Sequence, residues 1–181
     1  MIIENPIVLL VDDSENDALL MRTVFERAGF VQPLQFATSS DAAIAYLQGD
    51  GRYRDRTQFP LPTVVLMDLN MPGKNGFEML EWIHRQPTLK RLRVYILSAS
   101  SRPEDIERAY DLGAGSYLVK PRNLDGLMEM AKCLIAWLKL GHFAPLPKMD
   151  EADEIESPKG REAVSGNGSA AMERAGNRST R

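Results

Sequence analysis

Five short aliphatic runs alternate with five helical patterns along the first 140 residues, an order that predicts an α/β domain: a parallel sheet covered by helices on both faces. Three observations carry this expectation. The central runs are apolar at consecutive positions and too short for helices, as strands buried on both faces must be. The segments between them repeat apolar residues at helical spacing and run from a capping residue to a glycine or proline stop. The alternation is strict, with a helix-length segment between every two runs.

The first strand is expected over residues 7–11 (Ile-Val-Leu-Leu-Val), the third over 64–67 and the fourth over 94–97. Shorter runs at 34–37 and 117–119 read as the outer strands. Ser14 is a plausible N-cap for the first helix, with Leu19, Leu20, Val24 and Phe25 on its apolar side and Gly29 as the stop. A second helix over 41–48 follows a Ser-Ser cap and ends at Gly49. The third, over 76–85, spaces Phe77, Leu80 and Ile83 helically, with Pro87 just beyond. Pro103 suits the first turn of the fourth helix, which Gly113 closes, and the fifth and longest covers 124–140. Residues 49–62 form a polar connection rich in Arg and Asp, longer than a simple turn requires. From about Pro145 onward no aromatic residue occurs and polar, glycine and alanine positions dominate; residues 145–181 are therefore expected to be a disordered tail behind a domain at 1–144.

Composition narrows the function classes. A net charge of −3 lacks the basic excess of a general nucleic-acid or membrane-surface binder, so neither partner is expected. Cys133 is the only cysteine, which rules out an internal disulfide and fits a reducing compartment. The first residues lack a signal-peptide pattern and no apolar run reaches membrane-spanning length, so a cytoplasmic location is the expectation.

Ligands of an open parallel sheet collect at the carboxyl ends of its strands. Those ends are Asp12-Asp13 on the first strand, Asp68 on the third, Ser98 on the fourth and Lys120-Pro121 on the fifth. Each has a bland reading: paired aspartates cap loops, Asp68 could cap a turn, Ser98 could be a surface hydroxyl, and a lysine is usually solvated. Their joint placement at strand ends favours a site. Crowded carboxylates call for a cation, and hard oxygen donors suit Mg²⁺. An aspartate can attack phosphorus to give an aspartyl phosphate, a transfer helped mainly by positioning and charge neutralisation. In such a site Mg²⁺ would hold the phosphoryl oxygens from one side and Lys120 and Ser98 from another.

These motifs, Val11-Asp12-Asp13, the run from Asp68-Leu69-Asn70-Met71-Pro72 through Gly73-Lys74-Asn75-Gly76, Leu97-Ser98-Ala99 and Lys120-Pro121, resemble those of the receiver domains of two-component response regulators. The resemblance covers roughly residues 6–141, and no key position departs from the pattern. It implies a flavodoxin-like, doubly wound five-stranded sheet of strand order 2-1-3-4-5. It further implies that Asp68 accepts phosphate from a sensor histidine kinase, that Asp12, Asp13, Asp68 and the Asn70 carbonyl hold Mg²⁺, and that Ser98 and Lys120 bind the phosphoryl group. Tyr117 matches the family's switch aromatic, Pro121 its cis-proline position, and Ala99 the small residue controlling access to the phosphoryl group. Tyr117 also reads simply as a half-buried edge-strand side chain. His84 and His142 lack the context of a phosphohistidine, and Trp82 and Trp137 read as packing residues.

Two rivals fit less well. A haloacid-dehalogenase-type phosphatase needs an Asp-x-Asp motif on its first strand, which Asp12-Asp13-Ser14 lacks. A pseudo-receiver scaffold would lack an acidic residue or the lysine. The expectation is a phospho-acceptor that catalyses only its own phosphorylation, has no output domain, and acts on a downstream target or phosphotransfer protein. The 49–62 connection and the Asp68-Leu69-Asn70 context resemble small receivers that partner phytochrome-type kinases. In the last helix, Leu127, Ala131, Leu134 and Leu138 form one apolar stripe, assigned to the sheet. Met130, Cys133, Trp137 and Leu140 form a second, expected to mediate a homodimer unless Phe143, Leu146 or the tail covers it.

Overall fold

The computed structural model describes residues 6–73 and 75–140. The expected disordered tail, together with His142, Phe143 and Leu146, lies outside the described residues. Five strands, β1 (Val8–Val11), β2 (Gln35–Ala37), β3 (Val64–Met67), β4 (Arg93–Ser98) and β5 (Ser116–Val119), alternate with helices α1 (Glu15–Arg27), α2 (Ser40–Gln48), α3 (Gly76–Arg85), α4 (Pro103–Asp111) and α5 (Leu124–Leu140). All pairings are parallel, in the order β2-β1-β3-β4-β5, which is the doubly wound order expected. Among the described residues, no helix is long and apolar enough to cross a membrane.

Side chains alternate across a strand, so each central strand feeds two cores. Leu9, Val11, Val65, Met67, Val94 and Ile96 face α2, α3 and α4. Val8, Leu10, Val64, Leu66, Tyr95 and Leu97 face α1 and α5. Local chemistry fixes the helix ends, at Ser14 and Ser39 as read from sequence and at Asn75 in addition. Ser14 Oγ accepts from Asp17 N, Ser39 Oγ accepts from Ala42 N, and Asn75 forms a reciprocal capping box with Glu78.

Three packing details differ from expectation. On α1 the buried residues are Met21, Val24 and Phe25, while Leu19 and Leu20 are exposed. The helix is turned so that Met21 enters the core beside Val24, leaving the two leucines on the outer side. On α5 the buried stripe is Leu127, Ala131, Ile135 and Leu138, and Leu134 is only half-buried. Positions i, i+4, i+8 and i+11 define the inner line of this helix, so Ile135 takes the place expected for Leu134.

The 49–62 connection is also more than a polar link. It opens with a 3-10 turn at Gly51–Arg54, and Tyr53 and Phe59 pack on Tyr46 with ring centroids 5.1 and 6.0 Å away. The Tyr46 hydroxyl donates to the Pro60 carbonyl at 2.8 Å. The Arg56 guanidinium donates to the carbonyls of Tyr46 and Leu47 at 2.7 and 2.9 Å, satisfying the open C-terminal end of α2. Arg56 thus serves the end of a helix, and a small aromatic core sits beneath it.

Candidate functional site

The parallel register brings the strand ends together. Val11 pairs with Met67, so the next residues, Asp12 and Asp68, lie side by side; Asp68 N continues the ladder by donating to the Val11 carbonyl at 2.9 Å. Ser98 ends β4 opposite Val119, and Lys120 N donates to the Ser98 carbonyl at 2.8 Å. Asp12 N donates to the Ala37 carbonyl at 3.1 Å, fixing where the chain leaves the sheet. Asp12, Asp68 and Ser98 are buried, and Asp13 is exposed beside them.

Lys120 organises the cluster. Its Nζ lies 2.7 Å from Asp12 Oδ2 and 2.8 Å from Asp68 Oδ2, with Asp17 Oδ2 at 3.4 Å. Burial alone would disfavour the ammonium; hydrogen bonds and attraction from Asp12 and Asp68 outweigh it and hold the Lys120 pKa above its ordinary value. Asp68 Oδ1 accepts from Asn70 N at 3.1 Å, and Asp12 Oδ1 accepts from Ser14 N at 2.9 Å. Each of the two carboxylates therefore presents one oxygen to the backbone and one to the lysine.

Among the described residues, no three His, Cys, Asp or Glu side chains converge in a metal-holding arrangement. The geometry gives the reason: Asp12 and Asp68 are drawn to the Lys120 ammonium, and Asp13 stands out in solvent. The donor chemistry nonetheless fits a hard divalent cation, since three aspartates, Asp12, Asp13 and Asp68, and Asn70 follow the carboxyl ends of the paired strands β1 and β3. A positive charge is already accommodated there, between Asp12 and Asp68.

Ser98 is fully buried but loosely held: its Oγ accepts from Asn70 Nδ2 at 3.3 Å and from Ser100 N at 3.4 Å, both long bonds. The Tyr117 hydroxyl donates to the Ser100 carbonyl at 3.0 Å, and Ser100 Oγ donates to Asp105 Oδ2 at 2.6 Å. A path of direct contacts thus runs from Asp68 through Asn70, Ser98 and Ser100 to Tyr117 on β5 and to Asp105 on α4. Tyr117 is half-buried and also packs against the α2–α4 core, as its plain reading expects. Ala99 is exposed beside Ser98. Pro121 supports the start of α5, where a Cβ added at Gly126 would lie 2.7 Å from Pro121 Cβ. Asp68 is placed by another close approach: a Cβ on Gly76 would meet the Asp68 carbonyl oxygen at 2.5 Å and Leu69 Cα at 2.8 Å, so only glycine lets α3 start against this loop.

Of the residues expected from sequence, Asp12, Asp68, Asn70, Ser98 and Lys120 are linked by hydrogen bonds at the strand ends, Asp13 is exposed beside them, and Tyr117 reaches them through Ser100. Asp17, Ser100 and Asp105 make further contacts there that the sequence did not point to. Asp17 reads in sequence as an ordinary acidic residue in the first turn of a helix, and Ser100 and Asp105 as loop and helix-start residues. His84 is exposed in the last turn of α3, and Trp82 is half-buried against the core. On α5, Met130 is half-buried, Cys133 is exposed, Leu140 is 81% exposed, and Trp137 is 43% exposed with its ring edge-on to Tyr95 at 5.2 Å.

Comparison with known proteins gives the same picture. The family model of the response regulator receiver domain matches residues 8–132. The response regulator Rcp1 of Synechocystis sp. is 36% identical over 134 residues, covering 74% of this chain and 89% of Rcp1. The crystal structure of the phosphorylated cyanobacterial phytochrome response regulator RcpA superposes with a TM-score of 0.69 at 32% identity, covering 80% of this chain and 99% of that one. The Mn²⁺-bound form of Rcp1 gives 0.68 at 34% identity, covering 79% and 99%. Fold, strand-end motifs and relatives agree: this chain belongs to the response regulator receiver domain family of two-component signalling.

Proposed function

We propose that Asp68 is the phosphoryl acceptor of this receiver and that a histidine kinase is its donor. The observation that carries the reading is the Lys120 ammonium held between Asp12 and Asp68, at 2.7 and 2.8 Å, where phosphoryl charge would need neutralising. A carboxylate oxygen of Asp68 forms the new P–O bond as the P–N bond to the donor's histidine breaks, and the electron pair leaves with the nitrogen. Mg²⁺, bound by Asp12, Asp13, Asp68 and the Asn70 carbonyl, would neutralise charge on the phosphoryl oxygens during the transfer. Lys120 turns from the carboxylates to the phosphoryl group, and Ser98, released from its long bonds, donates its hydroxyl to it. Displacement of Ser98 pulls on Ser100, to which Tyr117 and α4 are attached. On this reading the chain catalyses its own phosphorylation and is not an enzyme in the classical sense.

RcpA is a phytochrome response regulator, and Rcp1 has been crystallised with Mn²⁺. By likeness to them the donor is a phytochrome-type kinase in the cytoplasm, and output passes to a downstream protein or a phosphotransfer partner. A homodimer through α5 completes the reading. Trp137, Cys133 and Leu140 line its outer side, next to a groove of about 250 Å³ between β5 and α5 that Tyr95, Leu118, Leu134 and Trp137 border. Acetyl phosphate with Mg²⁺ tests the acceptor. Intact mass should show one added phosphoryl group, lost with chelator and lost in Asp68→Asn. Persistent labelling of Asp68→Asn overturns the assignment.

A further inference from the structure

Lys120 has three carboxylates around it, and two of them, Asp12 and Asp68, are among the residues proposed above to hold Mg²⁺. An ammonium and a metal ion drawn to the same two carboxylates repel one another, so entry of the metal would favour a lysine moved outward. Its Nζ has three donors, two of them engaged by Asp12 and Asp68. The third contact, Asp17 Oδ2 at 3.4 Å, lies on the opening side: the Asp17 side chain is 50% exposed, against 2% for Asp12 and 12% for Asp68. A lysine pushed outward meets Asp17 first, and without it a largely buried charge would be left unpaired.

We propose that Asp17 is a positioning residue that receives the Lys120 ammonium when a divalent cation takes over Asp12 and Asp68, and thereby sets the metal affinity of the site. Its backbone supports the role. Asp17 N donates to Ser14 Oγ at 3.2 Å, and Ser14 N donates to Asp12 Oδ1 at 2.9 Å, so the cap that fixes Asp17 is tied to Asp12 itself. The plain alternative is that Asp17 serves only the positive end of α1, as acidic residues in first turns do. That alternative gives no reason for its effect to depend on Lys120.

This inference rests on the metal-dependent reading of Asp68, and a double-mutant cycle separates the two. Mg²⁺ is titrated calorimetrically into the full unphosphorylated chain, as wild type, Asp17→Asn, Lys120→Met and the double variant. Asp17→Asn should weaken Mg²⁺ binding about fivefold, a coupling typical of direct partners, and the same change in the Lys120→Met background should cost less than about twofold. Glu15→Gln, which removes an equal charge from the same helical turn, should also cost less than about twofold, and Asp17→Glu should keep the wild-type affinity. An equal loss in both backgrounds, or none in either, overturns the role of Asp17 while leaving the acceptor reading standing. A wild type that binds no Mg²⁺ overturns the metal reading and this inference with it.

Discussion

Lys120 balances two buried carboxylates, so its removal should be felt in stability as well as in signalling. In the presence of chelator, Lys120→Met should lower the unfolding free energy by about 3 kcal/mol, the scale for stranding buried charge. Mg²⁺ should return part of that loss by supplying another cation. The pH course follows from the direction of the lysine's shift. Its folded-state pKa lies above the ordinary 10.5, so its contribution is full below pH 10.5 and fades only as the pH rises through the folded value. Urea unfolding of wild type and variant should therefore give a constant difference from pH 7 to 10; a difference that collapses near neutrality would mean another group carries it. Ser98 makes a second case. Its bonds to Asn70 and Ser100 are long, and if the proposed switch holds, Ser98→Ala should still accept phosphate but leave the amide resonances around Tyr117 unmoved. A wild-type pattern of shifts in that variant refutes the relay. The candidate site residues were legible because they end strands, where a parallel sheet collects them. Asp17, Ser100 and Asp105 were not, because their contacts depend on side-chain directions that spacing does not encode.

Elements place these residues through a few close approaches. α3 begins against the Asp68 loop only because residue 76 has no side chain. Gly76→Ala would have to push the Asp68 carbonyl and Leu69 away. It should destabilise by about 1–3 kcal/mol, as overpacking does, and should slow phosphate uptake even though no reacting group is changed. Chemical unfolding and acetyl phosphate kinetics check both halves, and a fully active, fully stable Gly76→Ala would show that the contact yields at no cost. Strand positions were readable from continuous apolar runs, and most helix boundaries from their caps and stops. Helix rotation was not. The choice between Leu134 and Ile135 on α5, or between Leu20 and Met21 on α1, turns on a small rotation about the axis, and both candidates are apolar. The role of the 49–62 connection was not readable for a related reason. Its sequence shows only a long polar link, and the fold shows Arg56 closing the end of α2 above the Tyr46, Tyr53 and Phe59 cluster.

At the scale of the whole molecule, one edge of the sheet holds the site while β5 and α5 present the apolar groove at the flank. Tyr117 lies on β5, with its side chain bonded to Ser100 and packed on the α2–α4 face, while its neighbour Leu118 borders the groove on the other face. Any effect of phosphorylation on self-association would therefore have to pass through the β5 backbone. The wild type should sediment as a dimer at micromolar concentration and Trp137→Glu as a monomer that keeps its thermal midpoint, since the indole is partly exposed. A monomeric wild type in both phosphorylation states would remove the dimer from the account. The acceptor is the claim on which the rest depends, and it can be located chemically. Borohydride reduces an acyl phosphate to the alcohol, converting a phosphorylated aspartate into homoserine. After reaction with acetyl phosphate and Mg²⁺, borohydride treatment and peptide mass mapping should find homoserine at position 68 alone, and none when Mg²⁺ is chelated. Homoserine at Asp12 or Asp13, or at no position despite an added phosphoryl mass, would contradict the account.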